Sequence, residues 1–489
     1  MNLQAGGLWH NSRSGLRAQV AHPTPATGTW GNCQGAEVME IQNKATALWS
    51  NLFRLRMPQM RAFHMSWFAF FLCFFAWFGI APLMTVVRDE LGLTQSQIGW
   101  SIIASVSMTV VARLFIGWLC DRIGPRLTYT WLLVLGSLPV MLIGLAQDPW
   151  TFIVLRLLIG MIGASFVITQ YHTSLMFAPN VVGTANATSA GWGNLGGGVT
   201  QLAMPLIFAF FVVGCGFGDA WGWRLSMVAA GLVCLLTGVA YYLFTQDTPD
   251  GNFSDLRAAG KMPVGKTTDG NFLYAFRDHR VWALSLIYGC CFGVELTICN
   301  VAALYFNDYF HLSLFWSGSL AFLYGGMNLF ARPLGGMISD MFSGKLGLRG
   351  RVVWLFMALF CEGLALMYFS QMRLLHLAIP TLMLVAVFVQ MSNGATFSIV
   401  PFVNKNSLGT VAGIVGAGGN AGAVAAGFLF KGVTVWPTAL LILGGVVTVC
   451  SFSALAVSFS PEDEIEARKE FARALAGKGN RSTVDLQHV

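Results

Sequence analysis

The chain has 489 residues, 55% of them hydrophobic and only 10% charged, with a mean hydropathy of +0.63. A water-soluble domain carries about 25% charged residues, so a chain this poor in charge cannot cover a water-facing surface, and lipid is the solvent for most of it. The net charge of +7 would suit nucleic acid, but the distribution of Lys and Arg described below assigns it to topology instead.

Residues 1–60 are polar and lack the apolar core of a secretory signal. They are expected to form a disordered cytoplasmic tail, with Met39, Met57 and Met65 as possible later starts. A spanning helix needs about 20 mainly apolar residues. That rule predicts twelve spans, near 65–87, 97–119, 127–146, 151–177, 182–213, 223–245, 281–306, 314–339, 351–371, 375–400, 407–430 and 435–459. The stretch 246–280 opens Gln246-Asp247-Thr248-Pro249-Asp250-Gly251, which is loop chemistry. The predicted organisation is an N-terminal six-helix bundle (61–245), a cytoplasmic linker (246–280), a C-terminal six-helix bundle (281–460) and a cytoplasmic tail (461–489).

With an even number of spans both tails lie on one side. That side collects 22 of the 29 Lys and Arg residues, while Arg88, Arg224, Arg373 and Lys431 lie on the other. The positive-inside rule then places both termini in the cytoplasm and the chain in the cytoplasmic (inner) membrane as a multi-pass protein.

The halves repeat. Arg113-x3-Gly117-x3-Asp121 closes the second span and Arg332-x3-Gly336-x3-Asp340 the eighth. Gly183-Thr184 and Gly193-Asn194-Leu195-Gly196 recur as Gly409-Thr410 and Gly419-Asn420-Ala421-Gly422 in the eleventh. Parallel six-helix repeats that hold cargo near the midplane are a transporter architecture.

Ionisable residues inside spans cost about 2.5–3.5 kcal/mol or more at a helix centre, so they are functional candidates. Arg113 and Arg332 occupy equivalent places in two related helices. Two guanidiniums facing one cavity repel, and a bound anion relieves the repulsion. The planar fork of Arg suits a planar monovalent oxyanion; pairing with helix carbonyls or acids is the structural alternative. Acids well inside spans are Glu295 and Glu362, either of which could titrate or pair with Arg156 in the fourth span; His172 is a lesser candidate. The glycines at 191, 193 and 419 leave backbone open to a small ligand or serve close helix packing. Asn194 and Asn420 are amides that need partners when buried. Gly191-x-Gly193-x-x-Gly196 matches a dinucleotide fingerprint only formally, because no strand precedes it.

The loop Gly117-x3-Asp121-Arg122-x-Gly124-x-Arg126 resembles the signature of the major facilitator superfamily, echoed by Gly336 and Asp340. The resemblance implies an all-α membrane fold of twelve helices in two pseudo-symmetric bundles, with this motif acting on the conformational change. The block Ala190-Gly191-Trp192-Gly193-Asn194-Leu195-Gly196, its partner Gly418-Gly419-Asn420-Ala421-Gly422, the two membrane arginines and Phe292-Gly-Val-Glu295-Leu resemble the nitrate/nitrite porter family over nearly all of residues 60–460. That resemblance implies that Arg113 and Arg332 hold the anion, that Asn194 lies beside it, and that Tyr288 and Phe292 contribute a hydroxyl and a ring face.

The expected function is proton-coupled nitrate uptake by alternating access, with nitrite as a further cargo, Glu295 as first coupling group, and Glu362 and Arg156 after it. Nitrate/nitrite exchange on one site is the alternative; a porter of another small anion or a nitrate sensor follows. The sequence offers no nucleophile elbow and no metal-ligand spacing, such as Cys-x-x-Cys. An enzyme, a cofactor, a metal and a nucleic-acid partner are therefore not expected, and a single chain is expected to suffice.

Overall fold

The computed structural model describes residues 41, 43–261, 268–312, 314–431 and 436–484, all within the compact unit Met39–Val489. The spanning helices are α1 (Pro58–Phe78), α2 (Gln95–Ile123), α3 (Pro125–Leu142), α4 (Pro149–Met176), α5 (Val182–Ala209), α6 (Asp219–Phe244), α7 (His279–Phe310), α8 (Leu314–Gly326 and Ala331–Leu346), α9 (Leu348–Ser370), α10 (Leu375–Val403), α11 (Leu408–Lys431) and α12 (Trp436–Ser451). Among the described residues, eleven helical stretches are long and apolar enough to cross a membrane. The twelfth, α8, is apolar but broken at the 3-10 turn Met327–Leu329.

Local chemistry sets the ends. Thr94 accepts from the backbone N–H of Gln97 and receives its side chain in return, a reciprocal cap that starts α2. Asp148 caps α4 ahead of Pro149, whose fixed φ suits a first helical residue. Gly124 (φ 88°) turns α2 into α3, and Gly347 (φ 72°) makes the corresponding turn between α8 and α9; positive φ favours glycine at both. The breaks matter more. Pro333 has no N–H for the carbonyl four residues back, and it follows Gly325-Gly326, so α8 cannot run straight through. In α4 the segment Gly160–Ala164 tightens to 3-10 geometry.

The halves meet along two seams, α2 against α11 and α8 against α5. Gly117 packs on the backbone of Gly409 and Gly413, and Gly336 on Gly183 and Ala187. Each seam ends in a carboxylate capping the helix opposite. Asp121 accepts from the backbone N–H groups of Gly409 and Thr410 and from the Thr410 hydroxyl, all at 2.9 Å. Asp340 accepts from Gly183 N (3.1 Å), Thr184 N (2.7 Å) and Thr184 Oγ1 (2.7 Å), and pairs with Arg351 at 2.7 Å. A negative charge at a helix N-terminus is favourable, so both seams are closed on the side that carries the tails.

One expectation needs correction. The disordered tail was expected to reach residue 60, but Ala45 pairs with Phe177 in a short parallel bridge, Leu48 and Met60 are buried, and α1 begins at Pro58. The apolar side chains there dock on α4 and α5, which a composition reading averages away; residues 1–40 lie outside the described residues. The linker and the C-terminal segment carry helices of their own, Phe253–Ala258, Thr268–Arg277 and Pro461–Val484. Glu464 of the last accepts from the backbone N–H groups of Leu348 and Arg349 at 3.0 and 2.8 Å, capping α9.

The loop signature has a second role. Gly124 lies so close to the Asp247 carboxylate that a Cβ would fall 2.6 Å from its oxygen. Asp247 accepts from the backbone N–H groups of Arg126 (2.8 Å) and Phe253 (3.0 Å). Burial pushes the Asp247 carboxyl up, against the pull of those N–H groups and of Arg126 and Arg257. Arg126 lies over the Tyr242 ring and donates to the Tyr242 carbonyl, and Arg122 lies over Trp118.

Candidate functional site

The two membrane arginines are fully buried and face the same pair of rings. The Arg113 guanidinium lies 5.1 Å from the Phe166 centroid and 5.4 Å from that of Phe292; for Arg332 the distances are 5.8 and 6.0 Å. One arginine comes from each half, so the site straddles the pseudo-symmetry axis, as the repeat requires.

Their settings differ. Arg113 reaches neutral acceptors: Nε donates to the Gly163 carbonyl (3.2 Å) and Nη1 to the Gly416 carbonyl (2.6 Å). With its amide oxygen turned to the guanidinium, Asn420 also accepts from Nη1 (2.8 Å) and Nε (3.2 Å). Gly163 lies in the tightened turn of α4, so the break in α4 presents a carbonyl where an arginine needs one. Arg332 follows the break in α8 and meets an acid: Nη1 lies 3.3 Å from Glu295 Oε2, and Nη2 donates to the Tyr288 hydroxyl at 3.0 Å. Arg113 Nη2 and Arg332 Nε are buried without a protein acceptor. Each half thus brings one buried guanidinium nitrogen that lacks a protein acceptor.

Tyr288 and Phe292 stand one turn apart on α7, their rings parallel to within 4° and 5.1 Å between centroids. Phe166 stacks near both, at 5.7 and 6.2 Å, and Phe397 closes edge-on at 4.7 Å from Phe166. These rings make flat, apolar walls beside the two guanidiniums; this junction, the candidate slot, has the chemistry to suit a flat anion.

Asn194, on α5, donates to Glu295 Oε1 at 3.3 Å. The glycines act through packing. A Cβ on Gly191 would overlap the Asn328 carbonyl and crowd Arg332, one on Gly193 would overlap the Phe70 ring, and one on Gly419 would lie 2.6 Å from the Tyr288 ring. Open backbone at these positions admits neighbouring helices and rings, which is the close-packing alternative for them. Arg156 donates to the Trp77 carbonyl at 3.0 Å, which is a bond within its own bundle and not the glutamate pair considered for it. Glu362 on α9 is fully buried with the Ser392 hydroxyl beside it, apart from the bonds made by either arginine. His172 is held by Tyr241 (2.6 Å) and the Gln246 carbonyl (2.8 Å) near the tail side, away from the slot.

Sequence reasoning missed Phe166, Asn328 and Asn393. Asn328 precedes Arg332 by four residues, a helical-neighbour spacing, and Asn393 is an amide inside an apolar span; both were available signals. Phe166 was not, because one phenylalanine among 38 carries no mark of its own. Phe166→Leu is expected to weaken anion binding roughly tenfold, since an aliphatic side chain gives up the ring face that both guanidiniums share, worth up to about 2 kcal/mol when desolvated; titration calorimetry on purified protein reads this directly.

Residues 66–424 match the family model described as Major Facilitator Superfamily. Among curated proteins, the high affinity nitrate transporter 2.5 of Arabidopsis thaliana is 40% identical over 428 residues, covering 87% of this chain and 84% of that protein. The nitrate transporter 2.1 of Chlamydomonas reinhardtii is 37% identical, covering 83% and 75%. The nitrate/nitrite transporter NrtP of Nostoc punctiforme is 30% identical, covering 83% and 95%. Among solved structures, the proton:xylose symporter XylE shares the fold with a TM-score of 0.66 at 14% identity, covering 84% of this chain and 98% of that one. With its twelve helices in two related bundles, its paired arginines and these relatives, the chain belongs to the nitrate/nitrite porter family of the major facilitator superfamily.

Proposed function

We propose that this chain carries nitrate into the cell across the cytoplasmic membrane by alternating access, with protons as the driving ion and nitrite as a second cargo. The observation that carries the reading is the pair of buried arginines, one from each half, that share the Phe166 and Phe292 rings, each with one guanidinium nitrogen lacking a protein acceptor. An anion bridging them draws the halves together, which couples occupancy to closure. The nitrate transporters of Arabidopsis and Chlamydomonas support the cargo, and the NrtP relative supports nitrite beside it. The excess of Lys and Arg on the tail side supports cytoplasmic termini. Each chain contributes both arginines, so a monomer suffices.

An anion entering against an inside-negative potential is opposed by about 2.3 kcal/mol per 100 mV, so a cation must accompany it or another anion must leave. Glu295 is the group we assign to link a proton to the anion: it bonds Arg332 directly, and an anion arriving beside that arginine favours proton uptake by the ionised carboxylate. Exchange of nitrite for nitrate is the second reading, favoured by the same pair of arginines, because like charges left facing each other resist closing around an empty slot. Labelled-nitrate uptake into proteoliposomes separates the two. Uptake driven by an acid-outside gradient in the wild type, lost in Glu295→Gln while exchange persists, is the expected result. Uptake that needs internal nitrite overturns symport, and no uptake under either condition overturns nitrate transport itself.

A further inference from the structure

We infer that Glu295 is a built-in counter-charge that sets the valence of the anion site, so that the site takes a monovalent oxyanion and refuses a divalent one. The inference rests on the reading of the slot as an anion site. Glu295 is buried and accepts from four donors: Asn328 Nδ2 (2.7 Å) and Asn194 Nδ2 (3.3 Å) on one oxygen, Asn393 Nδ2 (2.9 Å) and Arg332 Nη1 (3.3 Å) on the other. These donors come from α5, α8 and α10, so both halves of the protein build the cage. Every one of the four contacts is an N–H, and an ionised carboxylate is the form that only accepts. A protonated acid would bring an O–H into a ring of donors. Charge-assisted bonds from a preformed cage hold the negative charge in place when the slot is otherwise apolar.

The charge count follows from the partners. Arg113 is met by two backbone carbonyls and an amide, all neutral. Arg332 is met by a carboxylate. Two positive charges and one negative leave the site at one net positive charge, which one monovalent anion cancels. A divalent anion would leave it negative in a buried, low-dielectric slot, where an uncompensated charge is costly. The compensation is one-sided by sequence: α1, the helix related to α7, contains no Asp or Glu between Pro58 and Phe78. The two halves therefore divide the work. The N-terminal half supplies an uncompensated cation, and the C-terminal half a compensated one with a cage around its partner.

The test is ligand binding to purified full-length protein, with nitrate and sulfate as the two probes. In the wild type, nitrate binds and sulfate neither binds nor competes. Glu295→Gln removes the negative charge at constant size. Asn194 Oδ1 and Asn393 Oδ1 lack a partner, so a small turn of either amide supplies an acceptor for the new NH2 group. The variant is expected to bind nitrate roughly tenfold more tightly, because a nearby opposing charge has gone, and to bind sulfate. In the double variant Glu295→Gln/Arg332→Gln the net charge returns to its original value, and sulfate binding is expected to disappear again. A purely structural Glu295 predicts the opposite sign, weaker nitrate binding and no gain of sulfate, and that outcome overturns the inference. If a variant fails to fold, the wild type still decides: sulfate bound as tightly as nitrate sinks the inference. A wild type that binds no nitrate sinks the anion-site reading instead.

Discussion

Replacing Arg113 or Arg332 by Lys, charge conserved, lowers nitrate affinity by roughly tenfold or more, because ammonium has no planar fork and each lost charge-assisted bond is worth about 1.5–3 kcal/mol. The positions are not equal. Arg113 uses its fork on two carbonyls at once, 3.2 and 2.6 Å away, and a lysine keeps one of these contacts at best. At Arg332 the fork spans Glu295 and Tyr288, at 3.3 and 3.0 Å, so a lysine that stays on Glu295 abandons the tyrosine hydroxyl. Replacement by Ala separates them further. Arg332→Ala strands a buried carboxylate, a loss of about 3–5 kcal/mol, and is expected to lower the melting temperature as well as abolish binding. Arg113→Ala strands no counter-charge and is expected to abolish binding with a smaller effect on stability. Calorimetric titration and a thermal melt on the same preparations decide both points; a lysine variant with wild-type affinity removes that arginine from the site.

The seams carry the second large effect. Gly117→Val and Gly336→Val are each expected to reduce transport by about 100-fold or more while nitrate binding survives, since overpacking a close contact costs about 1–3 kcal/mol or more and here falls wholly on one conformation. A Cβ at 117 would overlap the Gly409 carbonyl, and one at 336 the Gly183 carbonyl. These are backbone atoms, with no flexible end to move aside. The seams close the side that carries the tails, so the variants should rest open there. Cys120 offers a direct readout: it is fully buried, and a Cβ on Gly409 would lie 3.1 Å from its own. Faster labelling of Cys120 by a small thiol reagent in Gly117→Val is the expected result. Unchanged labelling with wild-type flux would show that the seam tolerates the added carbons and does not gate the path.

The helices, their number and the pairing of the halves were legible in the chain because lipid imposes long apolar runs and because the Arg-x3-Gly-x3-Asp and Gly-Asn-x-Gly patterns are written twice. The spacing of Gly117 and Asp121 puts a small residue and an acid on one face of a helix, but does not say which helix that face meets. What escaped the chain were interactions whose partners are remote. Arg156 and Glu295 read as charges in apolar spans that could pair with one another, yet one bonds a carbonyl of α1 and the other is held by Arg332 and three asparagines on three helices. Helical periodicity gives a direction for a side chain but not the identity of the group that faces it.

By itself, then, the sequence determined the solvent, the two-fold internal repeat, the arginine pair and the kind of anion that an arginine pair suits, because each of these depends on residue type and spacing alone. Only the tertiary structure decided that Arg113 meets neutral acceptors and Arg332 a carboxylate, that Phe166 is the ring they share, and that the signature acids cap the helices opposite. Those outcomes depend on where breaks in α4 and α8 place a carbonyl or an arginine at the interface between the halves, and such a placement is a property of packed helices that no single segment encodes.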